Sequence, residues 1–427
     1  MTNVYVVHPA LKKEGASLHR EQEAYKLEEA VNLAAAIQLT VIQSEILPLT
    51  QIRPSTYIGK GHIERINAFI AERETPALLV VNAPLSAVQQ RNLERALNCK
   101  VIDRTGLILE IFGARAQTKE GELQVELAAL QYQKSRLVRS WTHLERQRGG
   151  LSFVGGPGES QIELDRRMIR ERIAYLEKRL SKVQCTRAVQ RKHRKKHYTT
   201  VALVGYTNAG KSTLFNRLTQ SAVFAEDLLF ATLDPTMRRL SLSKGQSIIL
   251  SDTVGFISDL PHELVAAFRA TLEEVLAADL IVHAQDISHE TVGMQRLEVE
   301  KILKELGVSN DIPVINVWNK KDLLTEDQRT SLENKAQRQP NTLLISAQKD
   351  TSMHPLLRLI ETTLAPQKIH KQVTFSVARG DIHVWLAQHS DILKEQWDEE
   401  TCTLQLYITP QNWAKVHKRF GAVFVRG

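Results

Sequence analysis

The sequence predicts an α/β protein in four parts: a small N-terminal α/β domain, a long helical hairpin, a doubly wound sheet and a small α+β C-terminal domain. Three patterns carry that expectation. Short β-branched runs alternate with stretches of helical spacing over residues 1–104 and again over 199–366. Between these regions, over 105–198, leucines and isoleucines recur every three or four residues, as in helices that pack side by side. Within the second region, Val201 to Thr213 reads VALVGYTNAGKST, an apolar strand running through a glycine-bounded loop into a helix. Residues 367–427 form the remaining part.

A chain of 427 residues, 43% of them hydrophobic, has material for more than one core. Met1 to Ala10 holds no basic segment leading into an apolar run, and no stretch approaches the roughly 18 unbroken apolar residues of a membrane span. A soluble, cytoplasmic protein without a membrane span is therefore expected. Cys99, Cys185 and Cys402 lie too far apart in sequence to suggest a disulfide framework or a zinc site. In the first part, Val4 to Val7, Val41 to Leu47, Leu78 to Val81 and Lys100 to Ile102 read as strands. Glu23 to Gln38, Ile63 to Arg73 and Ser86 to Leu97 read as helices, and the alternation implies a parallel sheet. Gly59-Lys60-Gly61 has too few glycines and no Ser/Thr partner for a phosphate site, so it is read as a loop before a helix.

From Thr105 to His197 two long helices are expected. Leu123, Leu127, Leu130 and Leu137 space at four, three and seven; Ile162, Ile169, Ile173, Leu176, Leu180 and Val183 continue the pattern. Gly149, Gly150, Gly155, Gly156, Pro157 and Gly158 rule out helix between them and leave a tip flanked by Arg146, Arg148, Arg166 and Arg167. The net charge of +8 becomes informative once located. Asp165 to His197 holds 13 Lys/Arg against three acids, a local +10 that leaves −2 for the rest. Ordinary solvated faces mix signs, so this bias points to a phosphate backbone.

The Val201 to Thr213 stretch fits G-x-x-x-x-G-K-[ST] across Gly205, Tyr206, Thr207, Asn208, Ala209, Gly210, Lys211 and Ser212. Such a loop wraps phosphates with backbone N–H groups, reaches them with the Lys ammonium and offers the Ser hydroxyl to Mg²⁺. Further elements follow in order. Phe230, Ala231, Thr232, Leu233 and Asp234 form a candidate switch in which Thr232 would ligate Mg²⁺ and meet the γ-phosphate. An apolar strand ends in Asp252, Thr253, Val254 and Gly255, with Asp252 near Mg²⁺ and the Gly255 N–H on the γ-phosphate. Asn319, Lys320, Lys321 and Asp322 close another strand; the Asp322 carboxylate can accept from guanine N1–H and N2–H₂, which adenine lacks. Ser346, Ala347 and Gln348 would bring backbone to guanine O6. GTP is the expected substrate, with Ser212, Thr232 and Asp252 around Mg²⁺ and Lys211, Thr232, Gly255 and Asn208 at the reacting phosphate.

Phe256 follows Gly255 where Ras-like enzymes place a water-orienting Gln, and its apolar ring cannot do that work. Slow intrinsic hydrolysis is expected until a partner or an ion completes the site. Asn208 suggests the ion: G-x-x-N-x-G-K-S resembles the loop of potassium-activated GTPases, whose Asn helps hold K⁺. The other reading of Asn208 is a loop cap.

The chain also resembles one family over nearly its whole length. VIDRTGLILEIF at Val101 to Phe112, ELQVELAALQYQKSRLVRSWTHLERQRGG at Glu122 to Gly150, GGPGESQIELDRR at Gly155 to Arg167, GYTNAGKST, FATLDPT and DTVGFI together are similar to the HflX ribosome-associated GTPases of the Obg/HflX group. Ser160 stands where the family tip has Thr, and both hydroxyls can cap the following helix. The resemblance implies binding to the large (50S) ribosomal subunit and its rRNA, with the tip reaching the peptidyl-transferase region. It also implies ribosome-stimulated hydrolysis and GTP-dependent splitting or rescue of stalled ribosomes. No DNA partner is expected, and a monomer is. The competing reading is a GTPase of ribosome assembly or tRNA modification, which would use the same loop and basic arm.

Overall fold

Alternating valines and leucines build the first sheet. β1 (Asn3–Leu11), β2 (Thr40–Leu49), β3 (Leu78–Val81) and β4 (Val101–Asp103) lie in the order β2-β1-β3-β4, every pair parallel. Successive residues of a strand face opposite ways, and here both faces are covered, as parallel sheets require. Val4, Val6 and Val80 meet α1 (Leu18–Ala36) and α4 (Arg104–Arg115); Val7, Leu79 and Val81 meet α2 (Lys60–Ala71) and α3 (Ala87–Leu97). Ser86 and Gln89 form a capping box at the start of α3, and Gly59 precedes α2 as a plain N-cap. The computed structural model describes residues 2–12, 18–72, 78–116, 118–140, 161–220, 236–242, 247–258, 274–365 and 369–421.

The expectation of a long stem helix from Thr105 needs correction. Leu107, Ile108, Ile111 and Phe112 are too apolar for one edge of a hairpin, and they are buried beneath the first sheet in α4. The stem begins with α5 (Lys119–Ser140) and returns as α6 (Gln161–His197), whose 37 residues span about 55 Å at 1.5 Å per residue. Leu127 packs on Ile173, Leu176 and Leu180, with Leu123, Leu130 and Ile169 beside them, following the heptad spacing. Arg172 pairs with Glu126 at 2.7 Å and Arg187 with Glu120 at 2.6 Å, cross-linking the two helices. The glycine-rich tip lies outside the described residues.

The second sheet has the order β10-β9-β8-β5-β7-β6. β5 (Thr199–Gly205), β7 (Ser247–Asp252), β8 (Leu280–Asp286), β9 (Val314–Asn319) and β10 (Thr342–Leu344) are parallel; β6 (Thr236–Ser241) is an antiparallel edge strand. Its helices include α7 (Lys211–Thr219), α8 (Val292–Glu305) and α9 (Glu326–Gln337), and α10 (His354–Leu364) follows β10 in the chain. The hydrophobic core does not stop at the join between the sheets. Val204, Val254, Ile281 and Val299 of the second belong to the same buried cluster as Val4, Leu33 and Ile108 of the first.

The chain separates into two compact units, Met1–Leu357 and Arg358–Gly427. In the second, β11 (Ile369–Ser376), β12 (Ser390–Trp397) and β13 (Thr401–Ile408) form an antiparallel sheet in the order β11-β13-β12. α11 (Gly380–His389) and α12 (Pro410–Phe420) supply Ile382, Leu386 and Val416 to its core. All three cysteines are free. Among the described residues no helix is long and apolar enough to cross a membrane.

Candidate nucleotide-binding site

The carboxyl ends of β5, β7, β9 and β10 meet at one edge of the second sheet, where open α/β folds place ligands. β5 ends at Gly205, and the loop to Ser212 wraps back onto the start of α7. Gly210 has φ +85°, and a Cβ there would lie 2.2 Å from the Asn319 amide nitrogen, so both conformation and space demand glycine. Asn208 also takes the left-handed region, at φ +59°, with its side chain exposed. Lys211 is buried and donates to the Tyr206 carbonyl at 2.7 Å. Burial lowers its ammonium pKa to about 8, and the Asp252 charge partly opposes the shift.

The Ser212 hydroxyl donates to the Asp252 carboxylate at 2.9 Å. Two hard oxygen donors side by side are the donor class that Mg²⁺ takes, so these residues fit that ion. Asp252 is fully buried at the end of β7. The Thr253 hydroxyl turns away and donates to the Leu203 carbonyl at 2.6 Å, and Val254 is buried. Gly255 lies against the phosphate-type loop: a Cβ there would be 2.9 Å from Thr207 Cγ2 and 3.1 Å from Lys211 Nζ. Phe256 is buried and continues the contact through backbone, its N–H donating to Gly205 O at 3.1 Å while its carbonyl accepts from Thr207 N–H at 2.8 Å.

At the other end of the edge, Asn319 ties three loops together. Its amide donates to Ala209 O at 2.9 Å, and its carbonyl accepts from Ala347 N–H at 2.9 Å. Asp322 accepts from the Ser346 hydroxyl at 2.6 Å, which brings the Asn319-to-Asp322 and Ser346-to-Gln348 segments together. Lys320 adopts φ +65° and pairs with Asp286 at 2.8 Å; Lys321 pairs with Asp350 at 2.8 Å. Gln348 is exposed. Asp286 and Asp350 escape a sequence reading because neither belongs to a motif, although Asp286 ends a strand at the same sheet edge. Phe230, Ala231, Thr232, Leu233 and Asp234 lie outside the described residues. So located, the site offers an ammonium, a hydroxyl and a carboxylate at one end and a carboxylate acceptor at the other. That is the inventory for a magnesium-bound nucleoside triphosphate.

Comparison with known proteins agrees along the chain. Residues 24–113 match the family model described as GTP-binding GTPase N-terminal, 115–194 match GTP-binding GTPase Middle Region, and 200–320 match 50S ribosome-binding GTPase. GTPase HflX of Magnetococcus marinus is 49% identical over 388 residues, covering 90% of this chain and 88% of that protein. GTPase HflX of Escherichia coli is 39% identical over 402 residues, covering 94% and 93%. Among solved structures, a GTP-binding protein from Sulfolobus solfataricus in complex with GDP is 24% identical, with a TM-score of 0.44, covering 84% of this chain and 98% of that one. With identity this high across nine-tenths of the sequence, the chain belongs to the HflX family of GTPases.

Proposed function

We propose that this GTPase binds the large ribosomal subunit through its basic hairpin and acts there to split or rescue stalled ribosomes, with bound GTP setting the affinity. The observation that carries the reading is the pairing of a guanine-type nucleotide edge with helix α6, whose sequence from Asp165 to His197 carries 13 Lys/Arg against three acids. Local parts divide as an N-terminal domain that runs through α4, an arm that starts at α5 rather than at 105 and runs to 198, 199–366 for the nucleotide domain and 367–427 for the C-terminal domain. Lys211 and the loop N–H groups hold the phosphates, Asp322 reads the base, and Ser212, Thr232 and Asp252 hold Mg²⁺. An Mg²⁺ held by these residues would supply charge neutralisation at the β- and γ-phosphates. Gly255 meets the terminal phosphate through its N–H.

Phe256 is the weak point of the intrinsic chemistry. Its ring is buried and its backbone is spent on Gly205 and Thr207, so it offers the attacking water nothing. Exposed Asn208 at the loop's turn supports a K⁺ site. Replacing Na⁺ by K⁺ is expected to speed hydrolysis in the wild type and not in Asn208→Ala; equal rates in both salts would remove Asn208 from the chemistry. The functional reading is tested by comparing stimulation of GTP hydrolysis by large subunits, whole ribosomes, subunit-assembly precursors and tRNA. Mature large subunits or ribosomes are expected to stimulate most, whereas preference for tRNA or a precursor would favour a role in modification or assembly.

A further inference from the structure

The N-terminal layer reaches into the nucleotide site through one buried cluster. Glu29, on α1, is almost inaccessible to solvent and accepts from the Arg104 guanidinium at 2.6 Å. Arg104, the first residue of α4, also donates to Asn82 at 2.6 Å, and two further bonds cross to the other sheet: it donates to the Ser258 carbonyl at 2.8 Å and the Ser258 hydroxyl at 3.2 Å. Ser258 returns the contact, its hydroxyl donating to Glu29 at 2.8 Å. Its N–H donates to the Tyr206 hydroxyl at 2.8 Å, and that hydroxyl donates in turn to Glu29. Burial and the neighbouring Glu29 charge push the Tyr206 phenol well above its ordinary range, so it stays a donor.

The two residues held on the nucleotide side are not arbitrary. Tyr206 is the second residue of the phosphate-type loop, and Ser258 stands three residues after Gly255. Between them, Phe256 is zipped to Gly205 and Thr207, which presses Gly255 onto Thr207 and Lys211. On the roles proposed above for Lys211 and Gly255, oxygens of a third phosphate would lie between the Lys211 ammonium and the Gly255 N–H, and the close approach of Gly255 to Lys211 means that Gly255 would have to move outward to receive them. A diphosphate makes no such demand. Buried hydrogen-bonded clusters resist that movement because each group left unpaired keeps its desolvation cost.

We propose that Glu29 and Arg104 are positioning residues for the nucleotide site, holding the segment after Gly255 against the phosphate loop so that entry of a third phosphate breaks their hydrogen bonds to Tyr206 and Ser258. The pair thereby sets the discrimination between GTP and GDP from outside the nucleotide domain. It makes no contact with either ligand. The same strand end also roots the arm: Asp103, next to Arg104, accepts from Tyr132 at 2.5 Å and Arg136 at 2.7 Å on α5.

The test uses the full chain and two substitutions that act on opposite sides of the cluster. Tyr206→Phe removes one hydroxyl and leaves the Glu29–Arg104 pair intact; Glu29→Gln leaves an acceptor for Ser258 and removes the charge. Affinities for GDP and for a non-hydrolysable GTP analogue are measured for each, with the thermal midpoint beside them. The ratio of analogue to GDP affinity is expected to rise about fivefold in Tyr206→Phe, the factor that one hydrogen bond of ordinary net strength supplies. Glu29→Gln is expected to move it the same way. A merely structural cluster would lower the midpoint and leave the ratio within twofold of wild type, and that result, or a falling ratio, overturns the proposal. Should Glu29→Gln fail to fold, Tyr206→Phe decides alone.

Discussion

In the proposed function, Asp322 and Lys211 carry the chemistry at the two ends of the nucleotide site. The Asp322 carboxylate accepts from Ser346 at one oxygen. Asp322→Asn turns an acceptor into a donor where guanine presents N–H groups, so GTP affinity is expected to fall by about tenfold or more, the scale set by unpaired polar groups. Binding of xanthosine triphosphate is expected to rise; a mutant that keeps the wild-type preference for GTP would refute the base-reading role. Lys211 supplies a pH signature. Burial holds its folded pKa near 8, below the ordinary 10.5, so the ammonium is present at pH 7 and carries its burial penalty in full. Between about 8 and 10.5 the folded protein loses a proton that the unfolded chain keeps, so the nucleotide-free protein gains stability with rising pH there. Phosphate binding needs the charged form, and GDP affinity is expected to be flat below about pH 8 and to fall toward roughly tenfold per unit above it. Fluorescence titration at about pH 7, 8 and 9 checks this, and an unchanged affinity at the highest pH would contradict it. Motif residues such as these are legible from spacing because phosphate and guanine chemistry dictate their types. Asp286, Asp350 and Glu29 are not, since nothing local says that an acid will find its partner across the fold.

At the scale of elements, the strands declare themselves best where burial on both faces leaves unbroken apolar runs, as in Leu78 to Val81 and Val201 to Val204. Polar edge strands do not: β6 reads TMRRLS and β12 reads SDILKEQW, and pairing with a neighbour rather than composition makes them strands. The stem of the arm is legible through its heptads, but α4 merges with it in sequence because helical spacing does not reveal where a helix turns from the core into solvent. α6 divides its basic residues in two. Arg172 and Arg187 are occupied by Glu126 and Glu120, whereas Arg170, Lys178 and Lys182 are exposed. Reversing the exposed three to Glu is expected to weaken ribosome binding and to flatten its dependence on log salt by roughly one for each phosphate no longer neutralised. Basal GTP hydrolysis is expected to hold. Unchanged affinity and salt slope would make this surface an ordinary solvated face and move the grip to another part of the chain.

At the scale of the whole molecule, one core joins the first sheet to the second, and one strand end serves two masters. Asp103 anchors the arm through Tyr132 and Arg136, and Arg104 beside it holds the segment after Gly255. No motif announces this adjacency; it follows from the packing of α1 and α4 against the nucleotide domain, which a single sequence does not encode as a pattern. It gives a short physical route between the proposed RNA-binding arm and the proposed phosphate loop. The measurement that tests this reading most directly is sucrose-gradient sedimentation of the full chain with purified large subunits in a non-hydrolysable GTP analogue, in GDP and without nucleotide. Co-migration with the large subunit in the analogue, falling by roughly tenfold or more in GDP, is the expected result. Equal co-migration in all three conditions, or none in any, would contradict it.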